Sequence, residues 1–263
     1  MSFFEVTDLS VGYGKTDIMS HLSFSVEAGS VNGILGANGC GKTTVLKAIC
    51  GILPHRGQCT LDGVCLEMLS AKQIARVCSY IPQRSGITIE LTVLDVVMMG
   101  FNPQLGLLEY PSTEMKNRAM AALASVGLSG RESECYLALS EGQKQLCILA
   151  RTMVADAKLC LMDEPESALD FRYRYHMLSV LRDRMAASGA AALVTLHDGS
   201  LALNFCDKLF LISGGGLLGV ISPKTDPVEK MEALLSELYG SISLHTCTDR
   251  GGRTHWMILK ETE

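Results

Sequence analysis

Four short, largely apolar runs punctuate the chain, and each ends on residues with chemistry to offer. Val31–Leu35 leads into a glycine-rich loop, Val77–Ile81 into Pro82-Gln83, Leu159–Met162 into Asp163-Glu164, and Ala191–Leu196 into His197. Runs of this length without helical spacing predict buried strands. Helical patterns lie between them: Thr44–Ile49, Thr92–Met99, Ser112–Val126, Arg131–Leu137, and Gly142–Val154 with an apolar stripe at Leu146, Leu149/Ala150 and Met153. Before the first run, Phe3–Ala28 predicts two strands around a turn at Gly12-Tyr13-Gly14. Gln58–Leu66 predicts a hairpin turning at Asp62-Gly63. The alternation of strands and helices predicts an α/β core carrying an N-terminal antiparallel β subdomain and an inserted α-helical subdomain at about residues 84–148, within a domain spanning 1–223. Residues 224–263 form a C-terminal extension, with a helix expected at Asp226–Tyr239 and two strands within Ile242–Leu259; its sequence suggests no function.

Gly36-Ala37-Asn38-Gly39-Cys40-Gly41-Lys42-Thr43 has the spacing of a P-loop. The glycines let backbone N–H groups wrap phosphate oxygens closely, and the helix that follows turns its N-terminus toward the same charge. Gly36, Asn38, Gly39, Cys40, Gly41 and Thr44 are therefore expected to cradle a nucleoside triphosphate. Lys42 should reach the β- and γ-phosphates, and the Thr43 hydroxyl should bind Mg²⁺. Asp163, at the carboxyl end of its strand, is the expected Mg²⁺ partner. Glu164 is placed to act as general base on an attacking water. Ligands of open α/β sheets bind outside the carboxyl ends of the strands. Gln83 and His197, at the ends of two further strands, should therefore converge on the same edge. Leu139-Ser140-Glu141-Gly142-Gln143 precedes the carboxylates. Ser140 can cap the helix that follows it, and a capped, glycine-flanked N-terminus is an anion site.

The 263 residues fit one large α/β domain, and a hydrophobic fraction of 48% supplies its core. A net charge of −5 with no basic run leaves no face for nucleic acid. Met1–Asp8 lacks the basic-then-apolar pattern of a signal peptide. The apolar stretch Leu209–Pro223 is interrupted by Gly214-Gly215-Gly216 and is too short to span a bilayer. Ten cysteines without C-x-x-C spacing suggest a reducing cytosol rather than a disulfide framework or a zinc site.

In the order Tyr13, P-loop, Gln83, Leu139–Gln143, Leu159–Glu164, Ser167-Ala168-Leu169-Asp170 and His197, the chain resembles the nucleotide-binding subunit of ATP-binding-cassette (ABC) transporters, from about Phe3 to Gly219. The resemblance implies a RecA-like P-loop fold and hydrolysis of ATP by a homodimer closed over two Mg-ATP. Tyr13 would stack on adenine, and Gln83 would touch Mg²⁺ and couple the site to a membrane partner. His197 would contact the γ-phosphate. Ser140, Gly142 and Gln143 would complete the ATP site of the opposite subunit, and Asp170 would belong to the loop by which the subunits sense each other. Glu141 and Glu166 stand where the family usually has Gly and Thr.

Thr92–Gly100, Asn102–Gly106 and Pro111-Ser112 resemble importer ATPases for iron-siderophore, haem and cobalamin uptake, although Phe101 and Gln104 replace an Arg and a His often found there. That likeness implies integral-membrane permease subunits as partners, an extracytoplasmic substrate-binding protein as an indirect partner, and a peripheral place on the cytoplasmic face of a bacterial or archaeal membrane. Val96, Val97, Met99 and Phe101 are expected to form or support a groove for a permease helix. A soluble ABC-type ATPase acting on ribosomes or DNA, an importer ATPase for another small solute, and a non-hydrolysing regulator are the alternatives.

Overall fold

The computed structural model describes residues 2–14, 16–83, 85–106, 108–167 and 169–261. Its strands are β1 (Phe4–Tyr13), β2 (Thr16–Val26), β3 (Val31–Leu35), β4 (His55–Leu61), β5 (Val64–Cys65), β6 (Cys78–Ile81), β7 (Leu159–Asp163), β8 (Ala191–Thr195), β9 (Lys208–Ser213), β10 (Gly216–Ile221), β11 (Ile242–Thr248) and β12 (Thr254–Lys260). Its helices are α1 (Lys42–Ile49), α2 (Ala71–Val77), α3 (Val93–Met98), α4 (Thr113–Ser125), α5 (Glu141–Ala155), α6 (Phe171–Ser188), α7 (Gly199–Phe205) and α8 (Val228–Tyr239).

Six strands form a sheet in the order β10-β9-β3-β8-β7-β6, parallel from β9 to β6 and closed by the antiparallel β9–β10 hairpin. The apolar runs lack alternation because both faces of this sheet are covered. On β7, Leu159 and Leu161 enter one core while Cys160 and Met162 enter the other. On β8, Ala191 and Leu193 divide from Ala192 and Val194 in the same way. The first core holds α1 between the parallel sheet and an antiparallel sheet ordered β2-β1-β4-β5. Phe24 and Phe210 bridge the two sheets with ring centroids 4.4 Å apart. The second core packs α3 to α7 on the opposite face, with α3 and α4 both against α5.

Two expectations change. Arg131–Leu137 is not a helix: it turns and ends in a 3₁₀ turn at Tyr136–Ala138. Its carbonyls are used elsewhere. Glu134 and Glu132 accept the Val93 and Leu94 N–H groups at 2.9 and 3.0 Å, satisfying donors that the first turn of α3 cannot pair internally. Phe101, together with Val96 and Val97, is fully buried, so these side chains support the segment from within and do not line a groove; Met99 is 38% exposed. Gly100 explains why the turn sits so deep. A Cβ there would lie 2.2 Å from the Arg151 carbonyl, so glycine permits direct contact with α5. Gln104 also has a structural task, donating from Nε2 to the Ala155 carbonyl at the end of α5, 2.9 Å away.

The C-terminal extension packs on the core. Met231 and Leu235 of α8 are buried. The β11–β12 hairpin joins α7, where the Asn204 side chain exchanges two 2.9 Å hydrogen bonds with the Trp256 backbone. The Ser200 hydroxyl accepts from the Ile258 N–H at 3.0 Å.

Candidate functional site

Because β3, β6, β7 and β8 run parallel, their carboxyl ends open on one edge. The loop after β3 narrows at Gly36, where a Cβ would lie 2.6 Å from both Cys40 Sγ and the Ile212 carbonyl oxygen. Gly41 adopts φ 108° and begins α1 without a side-chain cap. The first N–H groups of α1 are thus left for an external acceptor, the arrangement that binds phosphate. Asn38 and Gly39 are exposed at the loop's crest, while Thr44 is buried in the helix. Lys42 is buried along its stem, and its Nζ donates to the Gly36 and Ala37 carbonyls at 2.8 and 3.2 Å.

Asp163 is the hub of the opposite wall. Thr43 Oγ1 lies 3.0 and 2.8 Å from its two carboxylate oxygens, and Thr195 Oγ1 donates to Oδ1 at 2.9 Å. The Tyr80 hydroxyl reaches Oδ2 at 3.4 Å. Burial, then the neighbouring Asp163 charge, raises the Tyr80 hydroxyl above the usual tyrosine range, which keeps it a proton donor. Glu164 stands on a left-handed backbone, φ 46°, uncommon for a residue with a Cβ. The Thr195 hydroxyl accepts the Glu164 N–H at 2.8 Å, and the Glu164 carbonyl accepts from the Ser167 N–H at 3.2 Å. This turn aims the carboxylate into the site. Oε1 lies 2.7 Å from His197 Nε2 and 4.0 Å from Lys42 Nζ. Gln83 Nε2 donates to Oε2 at 2.8 Å.

The structure therefore brings Lys42, Thr43, Gln83, Asp163, Glu164 and His197 into one contact network. Tyr13 stands apart at the end of β1, 54% exposed. The Ser140 element is built as a cap. Ser140 Oγ accepts the Gln143 N–H at 3.3 Å, and Gln143 Oε1 accepts the Ser140 N–H at 3.0 Å, a reciprocal capping box. Glu141 turns outward to pair with Lys144 at 2.7 Å, its side chain 67% exposed. Gly142 lies against α6, where a Cβ would meet Tyr173 Cδ2 at 3.2 Å. Farther along α5, Gln145 donates to the Gln83 carbonyl at 3.1 Å and ties this helix to the site. Asp170 caps α6 by accepting the Tyr173 N–H at 2.9 Å. Ala168, beside it, lies outside the described residues.

These contacts fix the chemistry before any comparison: an anion-binding loop, a hydroxyl–carboxylate pair of hard oxygen donors, and a second carboxylate held by an imidazole and an amide. Comparisons with known proteins agree. A family model described as ABC transporter matches residues 19–167. The hemin import ATP-binding protein HmuV of Pseudomonas fluorescens is 35% identical over 251 residues, covering 93% of this chain and 95% of that protein. Its namesake in Rhizobium etli is 36% identical over 221 residues, covering 81% and 82%. The chain belongs to the ABC transporter family. Among solved structures, a metal-chelate type ABC transporter in an inward-facing conformation superposes with a TM-score of 0.83 at 24% identity, covering 99% of both chains. A nucleotide-free ATP-binding cassette from an ABC transporter gives 0.80 at 21% identity, covering 91% of this chain and 98% of that one. At these identities the likeness speaks for the fold, which is that of an ABC ATPase.

Three residues outside the family motifs do work in this ABC site. Thr195 orients both carboxylates, and its only signal was a polar residue inside the apolar run of β8. Tyr80 had no sequence signal. Glu166 is 2% exposed, and its Oε1 accepts the His197 N–H at 3.1 Å, so it fixes the loop that carries the imidazole. Its Oε2 has no partner among the described residues. Burial raises its pKa above the ordinary 4.5, against smaller opposing contributions from the hydrogen bonds, His197 and Arg174. A raised carboxylate favours the fold while it is protonated in both states, below pH 4.5; that contribution fades as pH climbs through the folded-state value. Glu166→Gln keeps an acceptor for His197 and removes the buried charge. It is expected to melt higher than the parent chain at pH 8, with the difference vanishing near pH 4, as scanning calorimetry across that range would measure. Equal melting temperatures at pH 8 would show that the carboxylate carries no burial penalty.

Proposed function

We propose that the chain is the ATP-hydrolysing subunit of an importer for haem or a closely related metal chelate. It would act as a homodimer beneath a separate membrane permease that receives cargo from an extracytoplasmic binding protein. The observation carrying this reading is the 35% identity to a hemin import ATP-binding protein along almost the whole chain, supported by the contacts of Thr43 with Asp163 and of Gln83 and His197 with Glu164. No helix among the described residues is long and apolar enough to cross a membrane, which fits a subunit that borrows its permease and sits at the cytoplasmic face. The named relatives come from bacteria such as Pseudomonas and Rhizobium, which supports a bacterial setting.

Thr43 and Asp163, with the Gln83 amide oxygen, are the hard oxygen donors that Mg²⁺ takes, and the first two already meet at 2.8 Å in a partly buried place. Bound there, Mg²⁺ would neutralise charge on the β- and γ-phosphates. Lys42 and the α1 N-terminus bind the same phosphates, and exposed Tyr13 offers a face for adenine. Glu164 takes a proton from water as the water oxygen bonds to the γ-phosphorus and the bond to the bridging oxygen of ADP breaks. His197 and Gln83 hold the carboxylate in line for that transfer. Ser140, Gly142, Gln143 and Asp170 would contribute across the dimer, with the outward Glu141 leaving only backbone toward the partner's nucleotide.

The test is reconstitution. The chain, co-purified with the permease encoded beside it and placed in vesicles, is expected to form a complex with two copies of this chain and to move haem only with ATP. Uptake of an iron-siderophore or cobalamin in place of haem would reassign the cargo. Failure to join any permease, with co-sedimentation on ribosomes, would replace the transport reading with the soluble alternative.

A further inference from the structure

We propose that the β4–β5 hairpin carries a zinc-class metal site built from His55, Cys59, Cys65 and Glu67, separate from the nucleotide site. His55 and Cys59 lie four apart on β4, Cys65 ends β5, and Glu67 sits in the 3₁₀ turn that follows. The donor atoms of His55, Cys59 and Glu67 all lie within 4.8 Å of one another. His55 Nε2 is 2.9 Å from Glu67 Oε1, and the Cys65 thiol donates to Glu67 Oε2 at 3.1 Å. Cys59 is fully buried and the His55 side chain only 9% exposed, so these two form a cluster with the more exposed Glu67; Cys65 stands outside that group, held to Glu67, and would complete the site by turning its thiol onto the cation.

The donor set is one imidazole, two thiols and one carboxylate. Nitrogen, sulfur and oxygen in that mixture suit Zn²⁺, which takes four such ligands in a tetrahedron, with no electronic preference to satisfy. The outer contacts also match a ligand site. His55 Nε2–H now donates to Glu67 Oε1 at 2.9 Å; a cation taking that position would move the imidazole proton to Nδ1, where the Leu53 carbonyl stands 3.5 Å away to receive it. Glu67 Oε1 also accepts the Cys59 N–H at 2.8 Å, fixing the carboxylate's orientation. Binding would release the two thiol protons to solvent and leave Cys59 and Cys65 as thiolates on the cation. Spacing alone hid the site, because the cysteines are not in a C-x-x-C pair; the hairpin turn at Asp62-Gly63 returns Glu67 beside β4, where it contacts both the Cys59 N–H and the Cys65 thiol.

The site would staple β4 to β5 and the following turn. β4 pairs with β1, His55 lying opposite Val11, two residues before Tyr13. The experiment uses the full chain, reduced, stripped with a chelator and free of nucleotide, titrated with Zn²⁺ and separately with Co²⁺. One equivalent per chain is expected, with the intense visible bands of tetrahedral Co²⁺ and a thiolate charge-transfer band in the near ultraviolet. Cys65→Ser and His55→Ala should each weaken binding at least about 10-fold, in the range that disturbed metal sites lose. Cys247→Ser, at an exposed thiol on β11, should leave it unchanged. Zn²⁺ should raise the melting temperature of the parent chain and not that of Cys65→Ser. A Co²⁺ spectrum without tetrahedral bands, or affinity unchanged in both ligand variants, overturns the proposal.

Discussion

Glu164→Gln is expected to hold Mg-ATP and not hydrolyse it. The substitution is isosteric, so the two hydrogen-bonding positions facing Gln83 and His197, now at 2.8 and 2.7 Å, remain filled. What goes is the group able to accept a proton. General bases contribute about 10²–10⁴-fold, and turnover should fall by that much. Affinity should hold or improve, because Lys42, 4.0 Å from the carboxylate, loses a competitor for its charge. A protein that binds without turning over would accumulate in its ATP state, seen as an ATP-dependent dimer on size exclusion. Lys42→Ala is the contrast. It removes a charged hydrogen bond to phosphate worth about 1.5–3 kcal/mol, so binding itself should weaken roughly 10- to 100-fold. Both numbers come from one titration of labelled nucleotide and one phosphate-release assay. Turnover within about twofold of the parent in Glu164→Gln would remove Glu164 from the role of base and overturn the assignment of the site.

The site was largely legible because its chemistry lies at the ends of buried strands, where an apolar run announces both the strand and its last residue. Lys42, Thr43, Asp163, Glu164, Gln83 and His197 all carried that signal. Thr195 and Tyr80 did not: both lie within the apolar runs, and whether a side chain there meets the site or the core depends on strand order, which no local pattern encodes. Glu166 stood out in sequence only as an unusual residue; its hold on the His197 N–H needed the turn after β7 to be seen beside the turn after β8. The same limit applies to Arg131–Leu137. A helix-compatible composition gave way because its backbone carbonyls were needed by the first turn of α3, an interaction between segments about 40 residues apart in sequence. The C-terminal hairpin was legible as strands, while its docking on α7 through Asn204 was not.

The largest stability effect is expected at Phe101. Placed by sequence in a segment thought to meet a permease, it would suggest a surface substitution with little cost to the fold. The structure puts the ring at 0% exposure in the core shared by α3, α4 and α5, with the Arg118 guanidinium 5.2 Å from its centroid. Gly100 presses the same turn against the Arg151 carbonyl, so the surroundings cannot close around a missing ring without moving α5. Phe101→Ala should therefore cost about 3–5 kcal/mol, from lost burial and the cavity left behind. For a chain of this size that lowers the melting temperature by roughly 6–20 °C. Met99→Ala, two residues away but 38% exposed, should move it by no more than a few degrees. A charge at Phe101 would unfold the helical layer outright, and any loss of transport it caused would say nothing about a permease contact; Met99→Glu is the informative surface probe. If calorimetry finds Phe101→Ala within about 2 °C of the parent, the ring is not in the core and the α3–α5 packing described here is wrong.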